Sequence, residues 1–189
     1  KIGLGKLKKR GVKIVAVNPV RTGYNAIADE WIGIKPGTDG LFAAALVHEL
    51  LQTQKIDLDY LARYTNSPWL VIKNPGAEDD GLFARDDAGN PLGFDKASGQ
   101  LVSALGKNEG LALSGSFRLA DNREVVPVFQ LMAERFISPE YSPERAEQET
   151  GISAATIRRI AAELAHAAFQ EQVTLDIPWT DWFGRRHEK

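Results

Sequence analysis

The sequence predicts an α/β domain: a Rossmann-like, mostly parallel sheet with helices on both faces and an irregular, hairpin-bearing insertion. Three observations predict it. Short apolar runs such as Ile14-Val15-Ala16-Val17 lack alternation and so suit strands buried on both faces. Segments with helical spacing separate these runs, and that alternation argues for a layered domain with a parallel sheet. From residue 74 to 123 the helical periodicity disappears and Gly, Asp, Asn and Pro accumulate.

Taken in order, residues 1–11 read as the tail of a helix, with cations in the last turn and Gly11 just past its end. A chain that opens this way is expected to be an internal piece of a longer one. Residues 12–17 are expected to form an interior strand, ended by Asn18-Pro19 because proline cannot donate to a ladder. Trp31-Ile32-Gly33-Ile34 is a second short strand. Thr38 is expected to cap a helix from Asp39 to about Thr53, with Leu41, Phe42, Ala45, Leu46 and Leu50 as its apolar stripe. Residues 57–64 read as a helix and Leu70-Val71-Ile72 as a strand. Residues 86–90 and 120–122 are turns inside the insertion. A helix is expected over 126–136. Another opens at Ser142-Pro143 and stops near Gly151, and a third is capped by Ser153. Residues 173–177 read as a last strand, followed by Pro178-Trp179-Thr180 and a polar tail. The expectation is one domain over 1–189, with the insertion at about 74–123.

Composition removes several classes of function. The 189 residues are 43% hydrophobic and 25% charged, ordinary values for a globular chain with a real core. A formal net charge of −2 supplies no basic field, so no nucleic-acid partner is expected. No apolar run approaches the roughly 18 residues of a membrane span, so no direct membrane insertion is expected. Cysteine is absent, which excludes disulfides, a thiolate-held iron–sulfur cluster and a Cys nucleophile within this segment.

The chemistry-bearing residues gather after the first two strands. In open parallel sheets ligands bind beyond the carboxyl ends of strands. Asn18 and Thr22 place polar groups there, and Arg21 adds a fixed charge suited to a phosphate. Gly37 lets backbone approach a ligand closely, and the following helix start offers free N–H groups. Asp39 is an acceptor-only carboxylate that could take two hydrogen bonds from adjacent donors, as the N1–N2 edge of guanine presents. On spacing alone, a strand-ending proline and an ordinary Thr/Asp helix cap explain the same residues.

The order of motifs carries more. Asn18-Pro19-Val20-Arg21-Thr22, then Ala28-Asp29, then Pro36-Gly37-Thr38-Asp39 before an Ala/Leu helix resembles the molybdopterin-guanine-dinucleotide-binding domain of the dimethyl sulfoxide reductase family. The resemblance continues through residues 56–65, 146–152 and 157–161, most of the chain outside the insertion. It implies an oxidoreductase whose molybdenum is held by two molybdopterin guanine dinucleotides. Carried onto this sequence, Asn18, Pro19, Val20, Arg21 and Thr22 would line the guanosine and phosphate end of one nucleotide. Gly37, Thr38 and Asp39 would complete the guanine pocket. Asp29 reads instead as a structural turn acceptor. No residue here matches the family's molybdenum ligand, and no catalytic residue is assigned. The segment alone is expected to be inactive, and an iron–sulfur cluster would lie outside it. The implied partners are the rest of the catalytic subunit, with electron-transfer and membrane-anchor subunits beyond it, in a prokaryotic cytoplasm or periplasm. Members act on oxyanions, S-oxides, N-oxides, formate and sulfur compounds, and the discriminating residues lie mostly outside this segment.

Other candidates are weaker. His48, His166 and His187 have no metal-ligand spacing, and the first two fall on helices as ordinary packed or surface residues. Pro178, Trp179 and Thr180, with Trp182, Arg185 and Arg186 beyond, could line an anionic substrate funnel or form only a polar tail. Trp31 and Trp69 read as packing. The absence of G-x-x-x-x-G-K-[ST] disfavours a GTPase. The alternatives kept open are a guanine-nucleotide-binding module and an interaction module, both without a redox role.

Overall fold

The computed structural model describes residues 2–106, 109–172 and 177–188. It is a mixed α/β structure of small sheets and helices with no barrel among the described residues. The expected strand at 173–177 lies outside the described residues except for Ile177.

Helix α1 (Ile2–Lys9) ends as its sequence predicts, with Gly11 at φ +84° and its N–H donated to the Lys8 carbonyl at 3.0 Å. Strand β1 (Val15–Val17) is shorter than expected, because Val12 is 45% exposed and residues 12–14 carry no ladder. β1 pairs in parallel with β2 (Glu30–Ile32), bringing Ala16 opposite Trp31. A 3-10 turn over Gly23–Ala26 joins them. Helix α2 (Asp39–Gln52) and helix α3 (Leu58–Tyr64) follow, the latter capped by the Asp57 carboxylate accepting from the Tyr60 N–H.

The remaining sheets are antiparallel, which corrects the expectation of a mostly parallel sheet. β3 (Leu70–Lys73) lies beside β7 (Glu124–Pro127), and β7 beside β6 (Phe117–Arg118). β4 (Leu92–Asp95) and β5 (Gln100–Ser103) form a hairpin. For the closely spaced pairs β4–β5 and β6–β7 the reason is loop length. Tight turns, such as the one where Asp86 accepts the N–H groups of Ala88 and Asn90, reverse the chain within a few residues. A parallel neighbour would need a long crossover. The helix expected from residue 126 also starts later. Val125 and Val126 are fully buried in β7, and α4 (Val128–Phe136) begins only after Pro127.

Helix α5 (Pro143–Thr150) opens on Ser142, whose hydroxyl accepts from the Arg145 N–H, and stops at Gly151 with φ +77°. Ser153 caps α6 (Ala154–Gln170) through the Thr156 N–H. A hairpin of β8 (Trp179–Thr180) and β9 (Arg186–His187) occupies what the sequence suggested was a tail.

Two cores result. Ile32, Ile34, Phe42, Ala45, Ala146, Ile152 and Ile157 pack α2, α5 and α6 against the β1–β2 pair. Leu70, Ile72, Ala84 and Val125 form the second, with Phe94 stacked on Phe117 at 3.8 Å. The insertion therefore builds its own apolar sub-layer on β3 and β7. His48 ties two helices together: it is buried on α2 with Nδ1 2.9 Å from the Phe136 carbonyl oxygen, so that nitrogen carries the proton. The first core positions the site, because both loops that bear the motif residues leave the carboxyl ends of β1 and β2.

Candidate functional site

The loop after β1 is held by its own backbone and by three side chains, those of Asn18, Asn25 and Trp31, the last donating its Nε1–H to the Asn18 carbonyl at 3.0 Å. The Asn18 N–H continues the ladder to the Ile32 carbonyl at 3.1 Å. The Asn18 side-chain oxygen then accepts the Val20 N–H at 3.0 Å, turning the chain at Pro19. Asn25 closes the loop from below: its side-chain amide donates to the Val20 carbonyl at 2.7 Å and its backbone N–H to the Thr22 carbonyl at 3.1 Å. Pro19, Val20, Arg21 and Thr22 are exposed at the tip. Arg21 has no carboxylate partner among the described residues; its guanidinium carbon sits 6.0 Å from the Trp31 ring centroid.

The loop after β2 turns at Gly37, whose φ of +82° is a conformation that disfavours any side chain. Thr38 stands at the N-cap of α2 but does not cap it. Its hydroxyl donates back to the Lys35 carbonyl at 2.8 Å, and no side chain accepts from the first turn. This corrects the expected cap and has a chemical consequence. The first N–H groups of α2 have no intrahelical acceptor and stay open to an outside one. Asp39, at the first helical position, is exposed and its carboxylate makes no hydrogen bond or ion pair among the described residues.

Asp29 is structural. Its carboxylate accepts the Ile14 N–H at 2.9 Å and pairs with Lys8 at 3.2 Å. The Ile14 amide, then the Lys8 side chain, hold its carboxyl below the ordinary carboxylate range. The bond is thus a stabilising contribution present above the unfolded value and lost as pH falls through the folded one. Asp29→Asn is expected to flatten the acid side of the stability–pH curve, below the ordinary carboxylate range. Equal acid sensitivity in both proteins, measured by urea midpoints, would remove this role.

The C-terminal hairpin bears Pro178, Trp179 and Thr180. Trp179 stacks on His187 at 4.5 Å, and His187 Nε2 lies 3.0 Å from an Asp181 carboxylate oxygen. Phe183 meets Tyr64 of α3 at 5.7 Å. No ion pair or ring contact among the described residues joins this hairpin to residues 19–22 or 37–39. The parallel pairing sends the chain after β1 and after β2 off the same edge, while the hairpin meets α3. Sequence reasoning missed Asn25 and the brace role of Trp31; a polar residue inside a 3-10 turn was the available signal for the former.

The chemistry of these residues is compatible with an anionic, hydrogen-bonding ligand. Among the described residues, an exposed carboxylate without a partner, an uncapped helix start and an Arg without a carboxylate follow the paired parallel strands. The side-chain oxygen of Asn25 is buried with no donor, an orphan that a polar neighbour would satisfy. Among the described residues no group of three or more His, Asp or Glu could hold a metal ion.

No protein-family model matches the chain. Curated relatives do. The perchlorate reductase alpha chain of Dechloromonas aromatica is 26% identical over 200 residues, taking in 87% of this chain and 22% of its own. The catalytic chain of a putative dimethyl sulfoxide reductase of Halobacterium salinarum is 29% identical over 161 residues, covering 84% of this chain and 19% of its own. The chain belongs to the dimethyl sulfoxide reductase family of molybdenum oxidoreductases. Within it, the chain is similar along its whole length to a sulfite dehydrogenase subunit of Allochromatium vinosum: 41% identity over 197 residues, 100% of this chain and 20% of that one. It thus spans about one fifth of the length of these three relatives.

Proposed function

We propose that this chain holds the guanine nucleotide end of a molybdopterin guanine dinucleotide, as one domain of a molybdenum-dependent oxidoreductase catalytic subunit. The observation that carries the reading is the start of α2. Thr38 turns its hydroxyl away, the first-turn N–H groups stay open, and the Asp39 carboxylate has no partner among the described residues. Asp39 would accept from the base, the helix start and Arg21 would face phosphate, and the 18–22 loop would wall the nucleoside. When bound, the molybdenum cofactor supplies the two-electron redox chemistry. This chain's residues contribute binding and orientation only. The rest of the catalytic subunit, and iron–sulfur electron-transfer and membrane-anchor subunits beyond it, are the proposed partners. Sulfite is the first substrate to assay in the longer protein, given the name of the relative similar over the whole chain.

Guanosine diphosphate tests the site by itself. Calorimetric titration is expected to show the chain preferring GDP over ADP by roughly ten-fold, because adenine offers no adjacent N1–H and N2–H donors to Asp39. Equal affinity for the two nucleotides, or none for either, would reject the reading.

A further inference from the structure

We infer that Trp31 is the positioning residue of the nucleotide loop: one indole ring holds residues 18–21 at two points and sets where the Arg21 charge is presented. The inference rests on the proposed nucleotide site and adds to it a residue that touches no ligand.

Two contacts converge on that ring. Its Nε1–H donates to the Asn18 carbonyl at 3.0 Å. Trp31 lies opposite Ala16 in the parallel pair, so its side chain reaches diagonally to the residue where β1 ends. The Asn18 N–H is already spent on the ladder to Ile32, and its side-chain oxygen on Val20. With the indole on its carbonyl, the backbone N–H, the backbone carbonyl and the side-chain oxygen of Asn18 are all committed, and the exit direction at Pro19 follows. Farther along, Arg21 returns over the same ring at 6.0 Å. A cation held over a ring face keeps its N–H donors free, unlike one locked by a carboxylate.

Gly33 makes room for this arrangement. A Cβ placed there would lie 3.0 Å from Trp31 Cη2 and 3.3 Å from Cζ2, so the far edge of the six-membered ring lies against the glycine. Gly33 has no positive φ to require glycine, and its absent side chain serves the ring instead. A tryptophan that only filled space would not need its N–H on a loop carbonyl or a bare backbone beneath it. Trp31 is only partly buried and is not among the residues that form either core, so its removal leaves the cores intact.

Two variants test this. Trp31→Phe keeps an aromatic side chain at this position and loses the N–H donor. Gly33→Val keeps Trp31 and displaces its ring. Amide hydrogen exchange at Val20 and Thr22 in the ligand-free chain, GDP affinity and the thermal midpoint are measured for each. Exchange at both amides is expected to rise roughly ten-fold, with the midpoint nearly held. GDP affinity is expected to fall roughly three- to ten-fold in both, the loss of one net hydrogen bond. Trp69→Phe, far from the loop in sequence and packed edge-on to Phe83, is expected to change neither. Unchanged exchange in Trp31→Phe overturns the inference whatever the nucleotide does. Faster exchange with unchanged GDP affinity also overturns it, while the proposed function stands. No GDP binding by the unmodified chain rejects the proposed function and, with it, the positioning role.

Discussion

Asp39→Ala is expected to lower cofactor occupancy of the longer catalytic subunit by about ten-fold or more, with the fold intact. Asp39 is exposed and makes no contact with a donor among the described residues, so the variant removes no internal bond. Its cost to folding is confined to the favourable position of a carboxylate at a helix N-terminus, about 0.3–1 kcal/mol. In the bound state the balance differs. Guanine presents two adjacent N–H donors, and a carboxylate accepts both. Without it they are left unpaired in a partly closed pocket, at roughly 1–3 kcal/mol. Asp39→Asn is expected to be nearly as harmful, since its amide sets a donor against one of those donors. Molybdenum and pterin contents that stay unchanged in both variants would reduce Asp39 to a helix-end charge. The pairing of the two variants matters, because a helix-end role alone would make both almost silent.

Ile157→Ala is expected to have the largest effect on stability, a loss of roughly 2–5 kcal/mol. Ile157 is fully buried where α6 meets the core under β2 and α2. Removing its outer carbons leaves a cavity between elements that have little freedom to collapse. Net stabilities of about 5–15 kcal/mol make that a large fraction of the whole. The effect should reach the site. The neighbouring Arg159 on α6 is ion-paired with Glu30 of β2, so a loosened α6 slackens the strand that carries Trp31. Urea unfolding should show a lower midpoint with an unchanged slope. A loss below about 1 kcal/mol would mean that α6 is not the keystone of the first core.

Local chemistry determined much of this structure in advance. Ser142-Pro143, Gly151 and Ser153 mark their helix ends because each acts within a few residues: a hydroxyl meets its own helix's N–H, a proline fills a position needing no donor, a glycine takes a left-handed turn. Asp29 is structural as the sequence suggested, but not as a local turn acceptor: its carboxylate takes the N–H of Ile14 from the preceding strand segment. The motif order likewise identified the family, since an order of residue types is legible without any knowledge of sheet direction.

Tertiary structure alone decided the rest. Val125 and Val126 are compatible with a helix on spacing, and their pairing with Ile72 and Val71 made them a strand. The direction of the sheets followed from how the turns in residues 74–123 bring distant segments together, a property of pairs that no single segment contains. Thr38 has the residue type of a cap, yet its hydroxyl chose the Lys35 carbonyl because the turn at Gly37 put that acceptor within 2.8 Å. Trp31 looked like packing until the parallel register set its indole N–H against Asn18. The physical distinction is range: propensities and caps are energies of neighbours in sequence, whereas register, sheet direction and the choice among competing acceptors are energies of neighbours in space.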